Sequence, residues 1–286
     1  MPIVVVALAA SAWGVFWIPL RKIGAEGLGP GWTTFAQFAA AVVVLLPAVV
    51  WRAVRSRPTG VSQAASGMLL GGAFALYAYS LLLTAVARAL ILFYVTPVWS
   101  TVLEVVVWKR RFTGGRAAAL ALGLSGLLVM LVNKAGAPFP GNVGDTMAIV
   151  AGIMWAFGTM KVRVDSDVGI LQHVFSFFLY GGAFALCLAV IPLGTTNVQH
   201  SWERLVPMVP WLMLLALVFL VPVMCALIWG SQRIDPGRLG IILQLEAVVG
   251  IVSAALLTNE PFGIAEIVGT VMVVGAGSID VLCNRA

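Results

Sequence analysis

The chain has 286 residues, of which 61% are hydrophobic and only 10% are charged, with a formal net charge of +6. Because a soluble domain is about 45–50% apolar and about 25% charged, this composition excludes a soluble protein and indicates a multi-pass membrane protein. The Lys and Arg residues lie in short clusters between apolar runs, which fits lipid as a partner and argues against nucleic acid. The three cysteines show no metal-ligand spacing, so no metal, cofactor or disulfide is predicted.

Continuous apolar runs, bounded by charges or by Gly and Pro, predict an all-α membrane protein with ten transmembrane helices. The first run is interpreted as a membrane helix and not as a signal peptide, because it lacks a basic leader and continues through Trp13 and Trp17. The predicted spans are 3–20, 31–51, 63–84, 89–108, 116–133, 145–163, 170–193, 208–229, 238–257 and 263–282.

The positive charges of the predicted loops indicate the orientation of the chain. With ten spans, twelve of the 17 Lys and Arg residues fall on the side that carries both termini. Since an excess of Lys and Arg marks the cytoplasmic side of a membrane protein, we expect both termini to lie in the cytoplasm.

The sequence also contains an internal repeat. A shift of 150 residues aligns the third to fifth spans with the eighth to tenth, and a shift of 142 aligns the first with the sixth. Matched pairs include Arg88 with Arg238, Val98 with Val248, Phe112 with Phe262, Tyr79 with Trp229 and Trp13 with Trp155. Each half, 1–134 and 145–286, has five spans, and an odd number inverts the second half relative to the first. Inverted repeats are common in secondary transporters, whose sites lie between the repeats near mid-membrane.

Charge in the matching loops agrees with this inversion. The loop 109–112 reads Lys-Arg-Arg-Phe, whereas its counterpart 258–262 reads Thr-Asn-Glu-Pro-Phe and has no Lys or Arg. Matching loops on opposite faces of a membrane are expected to show such opposite bias. The sequence therefore predicts two inverted five-helix repeats.

Several motifs resemble the EamA-type repeat of the drug/metabolite transporter superfamily. The second half carries 245–249 (Leu-Glu-Ala-Val-Val), 258–262 and Gly269; the first half carries 95–99 (Val-Thr-Pro-Val-Trp) and 12–14 (Ala-Trp-Gly). The resemblance covers nearly the whole chain, with three departures: Ala247 stands for the usual Pro, Arg110 for Glu and Ala119 for Gly. It implies an exporter of amino acids, aromatic ones included, or of other small metabolites across the bacterial inner membrane.

Two glutamates inside the predicted spans, Glu246 and Glu104, are functional candidates, because a carboxylate in the hydrocarbon costs about 2.5–3.5 kcal/mol. Glu246 shares a helix face with Gly250 and Ser253, which predicts the wall of a cavity. Its predicted roles are proton exchange or binding of a substrate ammonium; the alternative is a hydrogen bond to a neighbouring helix. Glu104, near the end of the fourth span, is either a second functional acid or part of an interfacial ion pair.

The other substrate-binding candidates are polar or aromatic residues inside the spans. They are Trp13, Trp17, Gln37, Tyr79, Thr96, Ser100, Trp155, Thr159, His173, Ser176, Tyr180 and Trp229. Aromatic faces attract ammonium groups by about 0.5–2 kcal/mol; core packing, and bonding of hydroxyls to carbonyls of the same helix, are the alternatives. Pro97 is predicted to kink the fourth span.

These observations predict a secondary transporter that exports small organic metabolites, most of all amino acids, by alternating access. The alternative is an exporter of drugs, sugars or nucleosides. The sequence lacks the clustered catalytic groups of an intramembrane enzyme and the filter or charged ring of a channel, so the protein is predicted not to be an enzyme. Glycines within the spans predict close helix packing, in a monomer or a weak homodimer.

Overall fold

The structure is a computed structural model that describes residues 1–55, 61–109, 111–135, 140–190, 202–258 and 263–283. All regular elements of these residues are helices, which confirms the all-α prediction. They are α1 (Pro2–Trp13), α2 (Trp17–Ala25), α3 (Pro30–Arg55), α4 (Val61–Leu83), α5 (Val86–Phe93), α6 (Thr96–Val107), α7 (Gly114–Ala135), α8 (Val143–Val164), α9 (Ile170–Val190), α10 (Trp202–Leu205), α11 (Val209–Leu215), α12 (Val221–Ser231), α13 (Pro236–Leu257) and α14 (Ile264–Cys283). A 3₁₀ turn, Val206–Met208, precedes α11, and a π-helical segment, Ala216–Leu220, joins α11 to α12. The predicted loop motif at 259–262 and the Arg110 departure lie outside the described residues.

Within the described residues, eight helical stretches are long and apolar enough to cross a membrane. They are Pro2–Ala25, Pro30–Trp51, Gln63–Leu83, Arg88–Val107, Val143–Val164, Ile170–Val190, Val206–Ser231 and Pro236–Leu257. These match the predicted spans one to four and six to nine, which confirms a multi-pass membrane protein. At the fifth and tenth predicted positions lie α7 and α14, which pack against each other. The total of ten spans stays a prediction.

The fourth span is broken where α5 ends and α6 begins. Pro97 has no N–H to donate to the carbonyl of Phe93, one turn earlier. The Thr96 hydroxyl donates to this carbonyl instead, at 2.5 Å. The kink predicted at Pro97 is therefore confirmed. The matching helix α13 runs unbroken, because Ala247 stands at the position that corresponds to Pro97.

Two further spans are irregular near their middles. The first is interrupted between α1 and α2, at residues 14–16, and the eighth contains the π-helical segment Ala216–Leu220. Short π segments inside α-helices occur frequently at functional sites. Broken spans also form the central sites of many transporters.

The main contacts between helices of different halves stay the same when each helix is replaced by its counterpart in the predicted repeat. The helices α3, α6 and α7 pack against α9, α13 and α14, which are their counterparts in the predicted repeat. Likewise α4 packs against α8, and α12 packs against α1. Residues from both halves therefore meet along the middle of the bundle.

Glycines allow α4 and α9 to cross closely. A Cβ atom on Gly71 would lie 2.5 Å from the amide nitrogen of Gly181, and one on Gly67 would lie 2.6 Å from the Cβ of Ser176. Neither distance is possible without separating the helices. The structure thus assigns these two glycines to packing inside the bundle.

We expect Gly71→Ala to lower the free energy of unfolding by about 1–3 kcal/mol, the usual cost of overpacking. Gly277→Ala is the matched control, since a Cβ atom there meets nothing within 4 Å. Alanine is also more stable than glycine inside a helix. Thermal unfolding in detergent measures both variants. Equal melting temperatures for the two would contradict the tight crossing.

Candidate functional site

Glu246 lies near the middle of α13 with its side chain buried, and two phenols hold its carboxyl group. Tyr77 donates from its hydroxyl to Oε1 at 2.7 Å, and Tyr94 donates to Oε2 at 2.5 Å. Both tyrosines are buried as well. Among the described residues, no Lys, Arg or His forms an ion pair with Glu246.

Aromatic rings surround this carboxyl group. Apart from Leu227 and Leu243, the side chains that line the space with Glu246 are Trp13, Phe74, Tyr77, Phe93, Tyr94 and Trp155. The space measures about 10 Å³, so at most one water molecule fits. The structure therefore shows the site in a closed form.

Helices of both halves place these groups. Trp13 is the last residue of α1, next to the break at 14–16, and it stacks on Phe16 with ring centroids 5.1 Å apart. Phe93 and Tyr94 lie at the break between α5 and α6, while Trp155 comes from α8. Tyr77 stacks on Phe93 at 4.6 Å. The site thus lies where broken spans of the first half meet α8 and α13 of the second.

The chemistry of the site follows from one buried acid without a cationic partner. An uncompensated charge in the protein interior costs several kcal/mol, and hydrogen bonds from two neutral phenols offset only part of this cost. A proton or a cationic group would neutralise the carboxylate. The surrounding ring faces also attract cations.

The structure brings together three of the predicted site residues, Trp13, Trp155 and Glu246. The indole Nε1 of Trp155 is buried without a hydrogen-bond acceptor among the described residues. This unpaired donor is unusual, because buried polar groups are normally paired.

The predicted polar side chains either donate to a nearby backbone carbonyl or have no partner among the described residues. Thr96 and Thr159 donate to the carbonyls of Phe93 and Ala156, each three residues earlier. Ser100 and Gln37 are buried, and their side-chain polar atoms have no partner among the described residues. None of these four side chains lines the small cavity.

Of the predicted cavity wall along α13, Glu246 lines the cavity, but Gly250 and Ser253 do not. A Cβ atom on Gly14 would lie 2.7 Å from the Glu246 carbonyl oxygen, and Trp17 Nε1 donates to Ser253 at 2.9 Å. Gly250 lies in the same contact, with the Gly14 carbonyl 3.3 Å from a Cβ built on it. The face with the small residues therefore packs against α1, and Trp17 lies in this helix contact.

The predicted polar face of α9 lies in a helix interface, away from the cavity lining. His173 Nδ1 is 3.0 Å from Ser66 Oγ, and Gln63 donates to Ser176 at 2.6 Å. Tyr180 is half-buried. These contacts join α9 to α4.

Two aromatic candidates also lie away from the cavity lining. Trp229 lies beneath the guanidinium group of Arg233, with the Cζ atom 4.5 Å from the ring centroid. Tyr79 is buried but does not line the cavity, whereas Tyr77, two residues earlier, does.

Sequence reasoning missed Tyr77, Tyr94, Phe74 and Phe93. Tyr77 and Tyr94 are two of only four tyrosines in the chain, and a scarce polar aromatic residue inside an apolar run is a signal that could have found them. Phe74 and Phe93 carry no comparable signal among 14 phenylalanines.

Glu104 forms an ion pair, as one of the two interpretations predicted. Its partner is Arg116 of α7, and the amide of Gly237 donates to its other oxygen at 2.7 Å. Lys109 and Arg111, which are closer to Glu104 in sequence than Arg116 is, are not its partners in the structure. This contact joins α6, α7 and the start of α13.

We expect Tyr94→Phe to lower the free energy of unfolding by about 1–3 kcal/mol, because it leaves Glu246 Oε2 without its donor. Tyr180→Phe is the control: its hydroxyl has no hydrogen bond among the described residues, so the same truncation should cost little. Chemical unfolding in detergent compares the two variants. A Tyr94→Phe protein as stable as the control would show that the hydrogen bond from Tyr94 to Glu246 contributes nothing.

The fold and the site together define a helical multi-pass membrane protein. Its buried Glu246 carboxyl lies in a small aromatic-lined space where the two halves of the chain meet. The chain belongs to the EamA-like transporter family, whose pattern it matches twice, over residues 1–132 and 142–279. Members of this family are transporters, which agrees with the predicted class of protein.

A relative from Escherichia coli (strain K12), "Probable amino-acid metabolite efflux pump", is 24% identical over 181 residues. The match covers 61% of this chain and only 60% of that protein. A solved structure described as "Crystal structure of protein" aligns over 99% of this chain and 97% of its own, with a TM-score of 0.73 and 20% identity. This likeness shows a shared fold alone.

Proposed function

We propose that the protein exports small molecules that carry an ammonium group, foremost amino acids and aromatic ones among them, across the bacterial inner membrane. The observation that carries the proposal is the buried Glu246 carboxyl, which has aromatic rings around it and no cationic partner among the described residues. A substrate ammonium would supply the missing charge. Trp13 and Trp155 would contact the substrate side chain, and Tyr77 and Tyr94 would orient the acid.

The comparisons support an exporter. The family is one of transporters, and the E. coli relative is named as an efflux pump for amino-acid metabolites. That name belongs to the relative, with which this chain shares only part of its length. The chemistry of the Glu246 site points independently to the same substrate class.

The proposed mechanism is alternating access by two inverted five-helix halves with both termini in the cytoplasm. Three observations support this mechanism: the two family matches, the helix contacts that recur when counterpart helices of the two halves are swapped, and the charges of the predicted loops. The small cavity also fits, because it must widen before a substrate can enter it. Ion pairs join helices toward both ends of the bundle, Arg88 with Asp145 and Glu104 with Arg116.

The second candidate is export of drugs, sugars or nucleosides. The aromatic lining favours this function for substrates with flat rings, which would stack on Trp13 or Trp155. In that case Glu246 would not contact a cationic group. A monomer or a weak homodimer is proposed for either function.

Transport by the purified protein in liposomes separates these functions. Counterflow of labelled phenylalanine is compared with that of phenyllactate, which has a hydroxyl in place of the ammonium group. We expect exchange of phenylalanine and at least about tenfold less exchange of phenyllactate, the factor for about 1.4 kcal/mol. Equal exchange of the two, or exchange of nucleosides and sugars alone, would refute the proposed substrate class.

A further inference from the structure

A separate apolar groove runs along the outer surface of the bundle between α2 and α11. It has a volume of about 470 Å³. Ile18 and Leu214 belong to its walls, Lys22 and Trp211 lie at one end, and Phe219 lies at the other. Leu214 is about half exposed, so the groove opens towards the surrounding lipid.

The outer end of the groove carries a positive charge. Lys22 is exposed, and its Nζ lies 5.7 Å from the centre of the Trp211 ring. Among the described residues no carboxylate pairs with this ammonium group. A lysine beside an exposed tryptophan is typical of the boundary between hydrocarbon and headgroups.

The length of the groove matches one leaflet of a bilayer. Eight residue steps separate Trp211 from Phe219, which is roughly 12 Å at about 1.5 Å per residue. Half of the hydrocarbon thickness is about 15 Å. An acyl chain that starts at the charged end would therefore reach the inner end near the bilayer midplane.

The inner end lies next to the Glu246 site. Phe219 belongs to the π-helical segment and stacks on Trp13, with ring centroids 5.7 Å apart and planes 6° from parallel. Trp13 in turn lines the cavity with Glu246. One pair of stacked rings thus separates the groove from the proposed substrate site.

We propose that this groove is a binding site for one anionic phospholipid. The lipid phosphate would bind the ammonium of Lys22, and one acyl chain would lie along the apolar walls as far as Phe219. The positive charge of Lys22 favours an anionic headgroup, and the apolar walls of the groove favour an acyl chain. A bound chain would press on the ring that stacks on Trp13.

Native mass spectrometry of the purified protein tests the site. The protein is given equal amounts of phosphatidylglycerol and phosphatidylcholine with the same acyl chains. We expect about fivefold more retained phosphatidylglycerol, the factor for about 1 kcal/mol per lysine near the headgroups. Lys22→Gln should remove the preference. Lys109→Gln should keep it, since Lys109 is also exposed but lies away from the groove.

A second variant tests the acyl-chain part of the site. Leu214→Trp fills the groove from its exposed side, so the fold is retained and less of both lipids should bind. Glycerophosphate, which has the headgroup charge and no chain, should not displace the lipid. Equal retention of both lipids, a preference unchanged by Lys22→Gln, displacement by glycerophosphate, or a protein dimer that Leu214→Trp disrupts would each overturn the proposal.

Discussion

Glu246→Gln is expected to lower the transport of amine-bearing substrates by about 30-fold or more. Removing one partner of a buried, hydrogen-bonded charge pair costs about 2–5 kcal/mol, and about 2 kcal/mol corresponds to this factor. Glutamine has the same shape and keeps one oxygen to accept a bond from Tyr77 or Tyr94. The variant should therefore fold, and the loss should come from the missing charge.

Counterflow of labelled phenylalanine in liposomes measures this loss. Glu203→Gln removes a charge from an exposed residue of α10 and is the matched control, which we expect to transport normally. Phenyllactate, without an ammonium group, should be transported equally by Glu246→Gln and by the unaltered protein. Phenylalanine exchange at the normal rate by Glu246→Gln would refute the proposed contact with the ammonium group.

The same variant separates the two roles considered for Glu246. If the carboxyl only binds the ammonium group, exchange and transport driven by a pH gradient should fall together. If it carries the coupled proton, exchange should persist while the response to a pH gradient is lost. The two assays on one protein preparation therefore assign the role.

The spans and the central acid could be predicted from the sequence because each has a strong local cause. Long apolar runs must cross the membrane as helices, since the backbone finds no water there. Glu246 is conspicuous because a carboxylate in such a run is costly. The break at Pro97 follows from a missing N–H group. Each inference needs only one stretch of chain.

The partners of the acid could not be predicted in this way. Tyr77 lies 169 positions from Glu246, and Tyr94 lies 152 positions away. The helix α4 is buried around most of its circumference, so the apolar pattern does not distinguish the face of Tyr77 from that of Tyr79. Only the packing of α4 against α8, together with the hydrogen bond from Tyr77 to Glu246 of α13, selects one of them.

The polar faces failed as predictors for a related reason. A polar residue in a membrane helix needs a hydrogen-bond partner, and a neighbouring helix supplies it as well as a substrate does. Ser253 bonds Trp17, and His173 contacts Ser66. Helical spacing shows that such residues share a face, but not whether that face meets a cavity or another helix.

Asp145→Ala is expected to lower the free energy of unfolding by about 3–5 kcal/mol, the usual cost of removing one partner from a buried ion pair. Asp145 is fully buried at the start of α8 and accepts a bond from Arg88 Nε at 2.7 Å. The amide of Gly141 donates to the same oxygen at 2.8 Å. The substitution leaves both donors without this acceptor.

A double variant distinguishes a lost ion pair from a damaged helix end. Arg88→Met with Asp145→Leu should recover most of the stability, because two apolar side chains replace a buried pair at little net cost. Lys161→Met breaks the more exposed pair with Asp165 and should cost less than about 1 kcal/mol. Denaturant unfolding in detergent compares these proteins. Arg88 lies in α5, which ends next to Tyr94, and Asp145 lies in the first turn of α8, which carries Trp155. This pair therefore anchors two walls of the Glu246 site. A double variant as unstable as Asp145→Ala would show that the helix end, and not the pair, holds them.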